Sequence, residues 1–390
     1  MAQRVAIVGG GVIGSAVAYY TLADPAFAGE VVVIERDSTY ARASSALSAS
    51  SIRQQFSTPV NIAIGRFGIE FLRRAGDHLE VDGERPEIGL VEPGYLFLAT
   101  ARGLGTLEAN HLVQRAHGAD VALLDPDALG LRFPWLATGD VAAASLGLSG
   151  EGWFDGYSLL QAFRRKARAL GARYVAAPAT GFAIHGDRIA AVRLADGSEV
   201  ACDAAVNAAG PWARTVAAWA GVELPVRARR RCVFAFTCPT PIDRCPLVID
   251  VSDAWFRPEG RGFICGVAPD ERDDADDLPL DVDPRLFESR IWPALAARVP
   301  AFEAVRVNSS WAGYYEYNTF DQNGVVGPLP QPGNLILANG FSGHGIQQAP
   351  AVGRGVAELI VHGGYRTLDL GALGFERIAA GRPLRELAVI

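Results

Sequence analysis

Three groups of side chains in this 390-residue sequence have the types and spacing to do chemistry. The first is His344, set between Gly343 and Gly345 in the stretch NGFSGHGIQQ, which also holds Gly340. It joins a group that could tune a ligand's charge or orient a substrate to a backbone bare enough for a flat ligand to touch. The second is the arginine run RARRRCVFAF, Arg227 to Phe236, with Arg53 in SIRQQF. Strand alternation lets only one of Arg230 and Arg231 face a site, where it would grip a carboxylate. The third is an aromatic set: Tyr314, Tyr315 and Tyr317, with Tyr95 and Trp311 as further candidates. Their ring faces suit an amine. Each group also has a plain structural reading, as a hydrogen-bonded histidine, salt-bridged or surface arginines, and core rings.

These residues need a scaffold, and the other end of the chain supplies its clearest signal. Gly9, Gly11 and Gly14 form G-x-G-x-x-G, with Val12 and Ile13 inside it, between the apolar strand Val5–Val8 and a small-residue helix from Ile13 to Leu22. The first glycine allows the tight turn, the second lets a diphosphate approach, and the third lets helix and strand pack. The helix N-terminus then faces the anion. Glu35, followed by Arg36, ends a second strand at the distance where a carboxylate meets ribose hydroxyls. A bare glycine turn is weak evidence, but strand, helix and acid together predict a dinucleotide site.

NAD and FAD both fit this cradle. A flavin ring, however, must be held far from its adenine, and two later stretches suit that grip. VNAAGPWA ends a strand with Ala208, Ala209, Gly210 and Trp212. NGFSGHGIQQAP leads into a helix with Pro350 expected in its first turn and Val352, Val356, Leu359 and Ile360 on its buried face. That helix's N-terminus would favour negative charge on the flavin pyrimidine edge.

The α/β texture at the start, middle and end is separated by strand-rich segments. The expected fold is α/β: a Rossmann-like FAD-binding domain from residues 1–85, 150–225 and 320–390, with an antiparallel-sheet substrate domain from 86–149 and 226–319. From about Pro86 the pattern reads as short strands and loops. A helix begins after Asp155, an N-cap, with Leu159, Leu160, Phe163, Ala167 and Leu170 on one face. The acidic run Glu271–Asp277 lacks calcium-loop spacing and reads as a solvated loop.

The net charge of −7 disfavours nucleic acid or an anionic membrane as the main partner. Five cysteines without a C-x-x-C pair argue against a disulfide framework or zinc site, and no metal site is expected. The apolar run from Val5 to Leu22 is broken by its glycines and is not read as a membrane span. No signal peptide is expected, and the arginine-rich, lysine-poor composition suggests a bacterial, cytoplasmic protein, peripheral to a membrane only through an electron acceptor.

The ordered motifs GGGVIG…VIERD, SIRQQF, VNAAGPWA and NGFSGHG resemble the D-amino acid oxidase-like flavoprotein family, which includes glycine oxidase, sarcosine oxidase, dimethylglycine dehydrogenase and D-arginine dehydrogenase. The likeness spans nearly the whole chain. In QQFSTPVNI, EGWFDGYSLLQAFRRK and WAGYYEYNTFDQNGVVG it is closest to a branch associated with assembly of respiratory complex I. The resemblance implies non-covalent FAD and dehydrogenation of a C–N bond. It implies ADP contacts from Gly9, Gly11, Gly14 and Glu35, with Ser44 or Ser45 at the diphosphate and Ala179 at adenine. Ala208, Gly210 and Trp212 would flank the flavin, with Ser51, Arg53, Gln54, Gly313 and Tyr314 beside it. Gly343, His344, Gly345, Ile346 and Gln347 would meet its pyrimidine end. Sarcosine oxidases attach FAD to a cysteine where Tyr314 falls here, and place a lysine after G-H-G where Gln347 falls. The implied enzyme is a dehydrogenase that passes electrons to a quinone or an electron-transfer protein more readily than to oxygen.

The catalytic candidates are then His344, Arg53, Arg231, Tyr314 and Tyr315. The expected substrate is an amine or a D-amino, N-methyl or secondary amino acid. Two other readings stand beside it: a flavin-bearing assembly protein for a respiratory complex with little turnover, and an NAD enzyme.

Overall fold

Strand Arg4–Val8 is buried along its last four residues. It pairs in parallel with Glu30–Glu35 on one side and Ala204–Asn207 on the other in the computed structural model, which describes residues 3–387. These three lie within a six-stranded sheet ordered Val325–Pro328, Leu335–Asn339, Ala204–Asn207, Arg4–Val8, Glu30–Glu35, Arg173–Ala176. All its pairings are parallel except the first, which is antiparallel. Strands apolar on both faces must be covered on both. Helices Val12–Ala23, Gly156–Ala169 and Gly345–His362 share one core with Phe71, Phe163 and Phe341. A second core on the opposite face lies under the three-stranded sheet Ala179–His185, Arg188–Leu194, Glu199–Ala201.

An eight-stranded sheet forms the other layer, ordered Arg306–Asn318, Val226–Thr237, Gly262–Val267, Ala254–Glu259, Leu247–Ile249, Tyr95–Ala99, Ala143–Gly147, Val121–Leu124. Its outer face is closed by aromatic packing: the ring of Phe302 meets those of Phe236, Phe256 and Phe263 at 5.1, 5.3 and 5.0 Å. The two long strands Val226–Thr237 and Arg306–Asn318 run antiparallel along their whole lengths. Their inner face roofs the mouth of the parallel sheet.

Four local expectations change. The stretch after Pro86, read as strands and loops, contains the helix Leu104–Ala116, whose only buried residues are Asn110 and Gln114. It shows no apolar stripe in sequence because it has none to bury. Asp155 does cap Gly156–Ala169, accepting from the Ser158 N–H at 2.9 Å, but Leu170 lies at the frayed end and is exposed. The helix after the second glycine loop, Gly345–His362, starts at Gly345, so Pro350 sits inside it rather than in its first turn. The helix end is thereby brought up to the glycine loop itself. Finally, the acidic run is no free loop: Asp274 and Asp276 pair with Arg229, and Asp274 also pairs with Arg231. Its charges found partners on the long arginine strand, which spacing within the run could not reveal.

Candidate active site

A cavity of about 610 Å³ runs between the two layers, from the first glycine turn to the tyrosines of the roof. At one end it is lined by Gly9, Gly11, Val12, Ile13, Glu35 and Arg36, with Ser44, Ser45 and Ala179 alongside. Helix Val12–Ala23 starts immediately after Gly11, which has no side chain to cap it; Ser45 takes only the Val12 N–H, which leaves the other first-turn N–H groups for an anion. Gly14 lies behind the lining, where any Cβ would strike the Gly9 carbonyl. Its role is close helix–strand contact. Glu35 accepts from the Gly10 N–H at 2.8 Å and the Asp37 N–H at 2.9 Å, one bond to each carboxylate oxygen. Each oxygen keeps acceptor capacity for a ribose hydroxyl. Ser45 accepts from the Val12 N–H at 3.1 Å, while Ser44 donates to the Tyr314 carbonyl at 2.6 Å and ties this end to the roof. These features fit the ADP half of FAD.

The middle is lined by Ala208, Ala209, Gly210 and Trp212, and the Arg36 guanidinium lies 3.6 Å from the centre of the Trp212 ring. Ser51, Gly313, Tyr314, Tyr315, Gly343, Gly345 and Ile346 line the far end. Gly343 has φ +96°, and a Cβ there would strike the Tyr315 ring, so the backbone is as thin as a ring-shaped ligand needs. This loop is stitched to the roof strand. Glu316 accepts from the Gly340 N–H at 3.0 Å, the Ser342 N–H donates to the Glu316 carbonyl at 3.1 Å, and Ser342 Oγ accepts from the Asn318 N–H at 3.0 Å. Sequence reasoning missed Glu316, although it is the one acid in WAGYYEYN, facing a strand position flanked by candidate tyrosines. It also missed Trp255, which lines the cavity.

The family model described as FAD dependent oxidoreductase, DAO, matches residues 4–359. The chain belongs to this family. The FAD-dependent oxidoreductase is 45% identical to "FAD-dependent oxidoreductase domain-containing protein 1" of Xenopus laevis, an alignment covering 99% of this chain and 84% of that protein. It is 28% identical to human mitochondrial dimethylglycine dehydrogenase, over 92% of this chain and 42% of that longer protein. Among solved structures, L-proline dehydrogenase from P. horikoshii superposes with a TM-score of 0.86 at 26% identity, covering 98% of this chain and 99% of that one.

Several residues expected at the flavin stand behind the oxidoreductase's cavity lining: Arg53, Gln54, Gly340, His344 and Gln347. They form a buried brace. Arg53 is 1% exposed; its guanidinium donates to the Gln55 carbonyl at 2.9 Å and meets His344 Nε2 at 2.8 Å. It lies over the Phe56 and Phe97 rings, 4.3 and 5.2 Å from their centres. Since arginine stays protonated, His344 accepts the bond. Burial and then the Arg53 charge push His344 down to about 3, so it is a neutral imidazole. Gln347 Oε1 accepts from the Arg53 N–H at 2.9 Å, which locks the two glycine-loop flanks together. Gln54 is directed instead toward Gly150 and Glu151.

Arg231 does line the cavity, whereas Arg230 turns to the Pro279 and Asp281 carbonyls. Arg231 is held by Asp274 through both guanidinium arms, at 2.7 and 2.9 Å, and lies 5.1 Å from the centre of the Tyr315 ring. Tyr314 donates its hydroxyl to the Leu278 carbonyl at 2.7 Å, and Trp311 its indole N–H to the Leu47 carbonyl at 2.9 Å.

Burial pushes the Glu316 carboxyl from its ordinary 4.5 up to about 8. The folded protein therefore holds a proton there that the unfolded chain releases. This contribution to stability is full below about 4.5 and is lost as pH rises through about 8. The urea midpoint of the wild type is expected to fall across that window more steeply than that of Glu316→Gln. Parallel pH profiles for the two proteins would contradict the assignment.

Proposed function

We propose that this oxidoreductase dehydrogenates the C–N bond of an amine or amino acid, with a secondary, N-methyl or D-amino acid as the substrate class. The reading is carried by one observation: the cavity that begins at the ADP cradle ends in a chamber walled by Tyr314, Tyr315 and Trp255, with the cation Arg231 in its wall. FAD, when bound, supplies the two-electron acceptor for hydride from the carbon next to nitrogen. The chain's own task is to place that carbon and keep water out. The tyrosine faces suit the amine, and Arg231 suits a carboxylate through its planar fork. The neutral His344 holds Arg53 behind the glycine loop and leaves that loop's N–H groups, at the start of helix Gly345–His362, to face negative charge.

FAD is held without a covalent bond. The cysteine in the lining, Cys232, has its thiol pushed up by burial, which disfavours the thiolate such a link needs. The electron acceptor is a carrier other than oxygen. Gln347 stands where sarcosine oxidases place a lysine, and the chain's single lysine, Lys166, donates to the Glu80 carbonyl at 2.7 Å on a separate helix. No helix among the described residues is long and apolar enough to cross a membrane, so a membrane-bound acceptor would be met at the surface.

Anaerobic mixing with a panel of secondary, N-methyl and D-amino acids is expected to bleach the flavin absorbance with at least one of them. Indifference to the whole panel, with partner proteins recovered instead, would favour the assembly reading. Arg231→Ala is expected to raise the apparent KM of an amino-acid substrate by at least roughly tenfold; an unchanged KM removes Arg231 from carboxylate binding. Stopped-flow mixing of the reduced protein with air is expected to show slow reoxidation, and a fast phase would defeat the carrier assignment.

A further inference from the structure

We propose that Asp274 is a built-in stand-in for the substrate's carboxylate: it occupies the anion subsite on Arg231 and is displaced when an amino acid binds. The inference rests on the reading of the chamber as an amino-acid site, and extends it to how that site discriminates.

The geometry is that of ligand recognition. Both arms of Arg231 meet both oxygens of Asp274, at 2.7 and 2.9 Å, which is how an arginine fork takes a free carboxylate. The pair is mostly shielded, with side chains 13% and 12% exposed, and the guanidinium faces the Tyr315 ring that walls the chamber. A substrate carboxylate arriving at Arg231 therefore finds the subsite already filled by the same chemical group.

The segment carrying Asp274 is built to let go. Between residues 270 and 277 the sequence DERDDADD has no apolar side chain larger than Ala275. Contacts with the roof's aromatic core begin only at Leu280. Beyond the Arg231 pair, charge and backbone fasten the segment: Asp274 to Arg229 at 3.6 Å, Asp276 to Arg229 at 2.8 Å and to Arg227 at 3.4 Å, Asp270 to Arg290 at 3.4 Å, and the Asp277 N–H to the Ala228 carbonyl at 2.9 Å. A segment without apolar packing opens more readily than a packed core, provided the shielded Arg231 keeps an anion beside it.

The exchange has a selective consequence. An incoming carboxylate replaces one anion by another on Arg231, so the buried guanidinium is never left unpaired. An amine without a carboxylate offers Arg231 nothing, and Asp274 stays in place. Arg231 thus supplies the preference for amino acids over simple amines, and the latch sets its size, lowering the apparent affinity for a carboxylate by the fraction of molecules held closed.

Calorimetric titration of the FAD-loaded protein at fixed ionic strength tests this, with propionate as the carboxylate probe and propionamide as its neutral counterpart. Asp274→Asn is expected to bind propionate about tenfold more tightly than wild type, with propionamide unaffected. Asp276→Asn, which loosens the segment without freeing Arg231, is expected to gain less than about threefold. Adding Arg231→Gln to Asp274→Asn is expected to erase the gain. Equal propionate affinity in wild type and Asp274→Asn, an equal gain from Asp276→Asn, or a gain that survives Arg231→Gln each overturns the proposal. In the wild type, propionate and not propionamide is expected to speed amide hydrogen exchange across residues 270–277; unchanged exchange overturns it without any variant. Because propionate is not turned over, a failed amine panel with an intact Asp274→Asn effect would defeat the dehydrogenase reading and leave the latch standing.

Discussion

Helices Val12–Ala23 and Gly345–His362, from opposite ends of the chain, touch at backbone distance. A Cβ added at Gly353 would lie 2.6 Å from that of Ala16 and 2.9 Å from the Ala16 carbonyl carbon. Neither helix can approach so closely with larger residues at the crossing, and the pair His362–Asp24 at 2.9 Å joins the same two ends. Because Val12–Ala23 and Gly345–His362 lie side by side on one face of the parallel sheet, their N-termini open on one cavity. One opens beside the first glycine turn, the other beside the tyrosines of the roof. Two weak helix-end fields become one extended cofactor site only through that contact.

Around the ring end the protein concentrates buried polar groups that would be costly if left unpaired. Arg53 is enclosed by aromatic faces, a carbonyl and a neutral histidine. Glu151, pushed up to about 7 by burial, accepts from the Gln54 and Gln55 N–H groups at 2.6 and 3.0 Å and from Gln55 Nε2 at 2.8 Å. Glu316 accepts a loop N–H. These groups hold backbone: they fix segment 51–55 and the glycine loop relative to the roof. Rigidity of this kind suits a site whose chemistry depends on where one carbon is held. The segment 270–277, fastened by ion pairs and a backbone hydrogen bond without apolar packing, is the contrasting element beside the same chamber.

Sequence by itself determined the parts of this protein whose physics is local. Gly9, Gly11, Gly14 and Glu35 are legible because strand, tight turn, helix and acid all lie within one short span. Asp155 is legible because a cap acts on the next turn of chain. Gly343 and Gly345 are legible because no other residue leaves a backbone so bare. Tertiary structure alone decided what depends on partners distant in sequence. His344 and Arg53 lie 2.8 Å apart though 291 residues separate them, and burial together with that meeting makes the histidine a neutral brace behind the lining. Glu316 gained its role from a loop that returns to it, and the acidic run from arginines on a neighbouring strand. Charge and hydrogen-bond partners act through space, so a residue's type announces what it can bond, while the fold alone selects which of those bonds it makes.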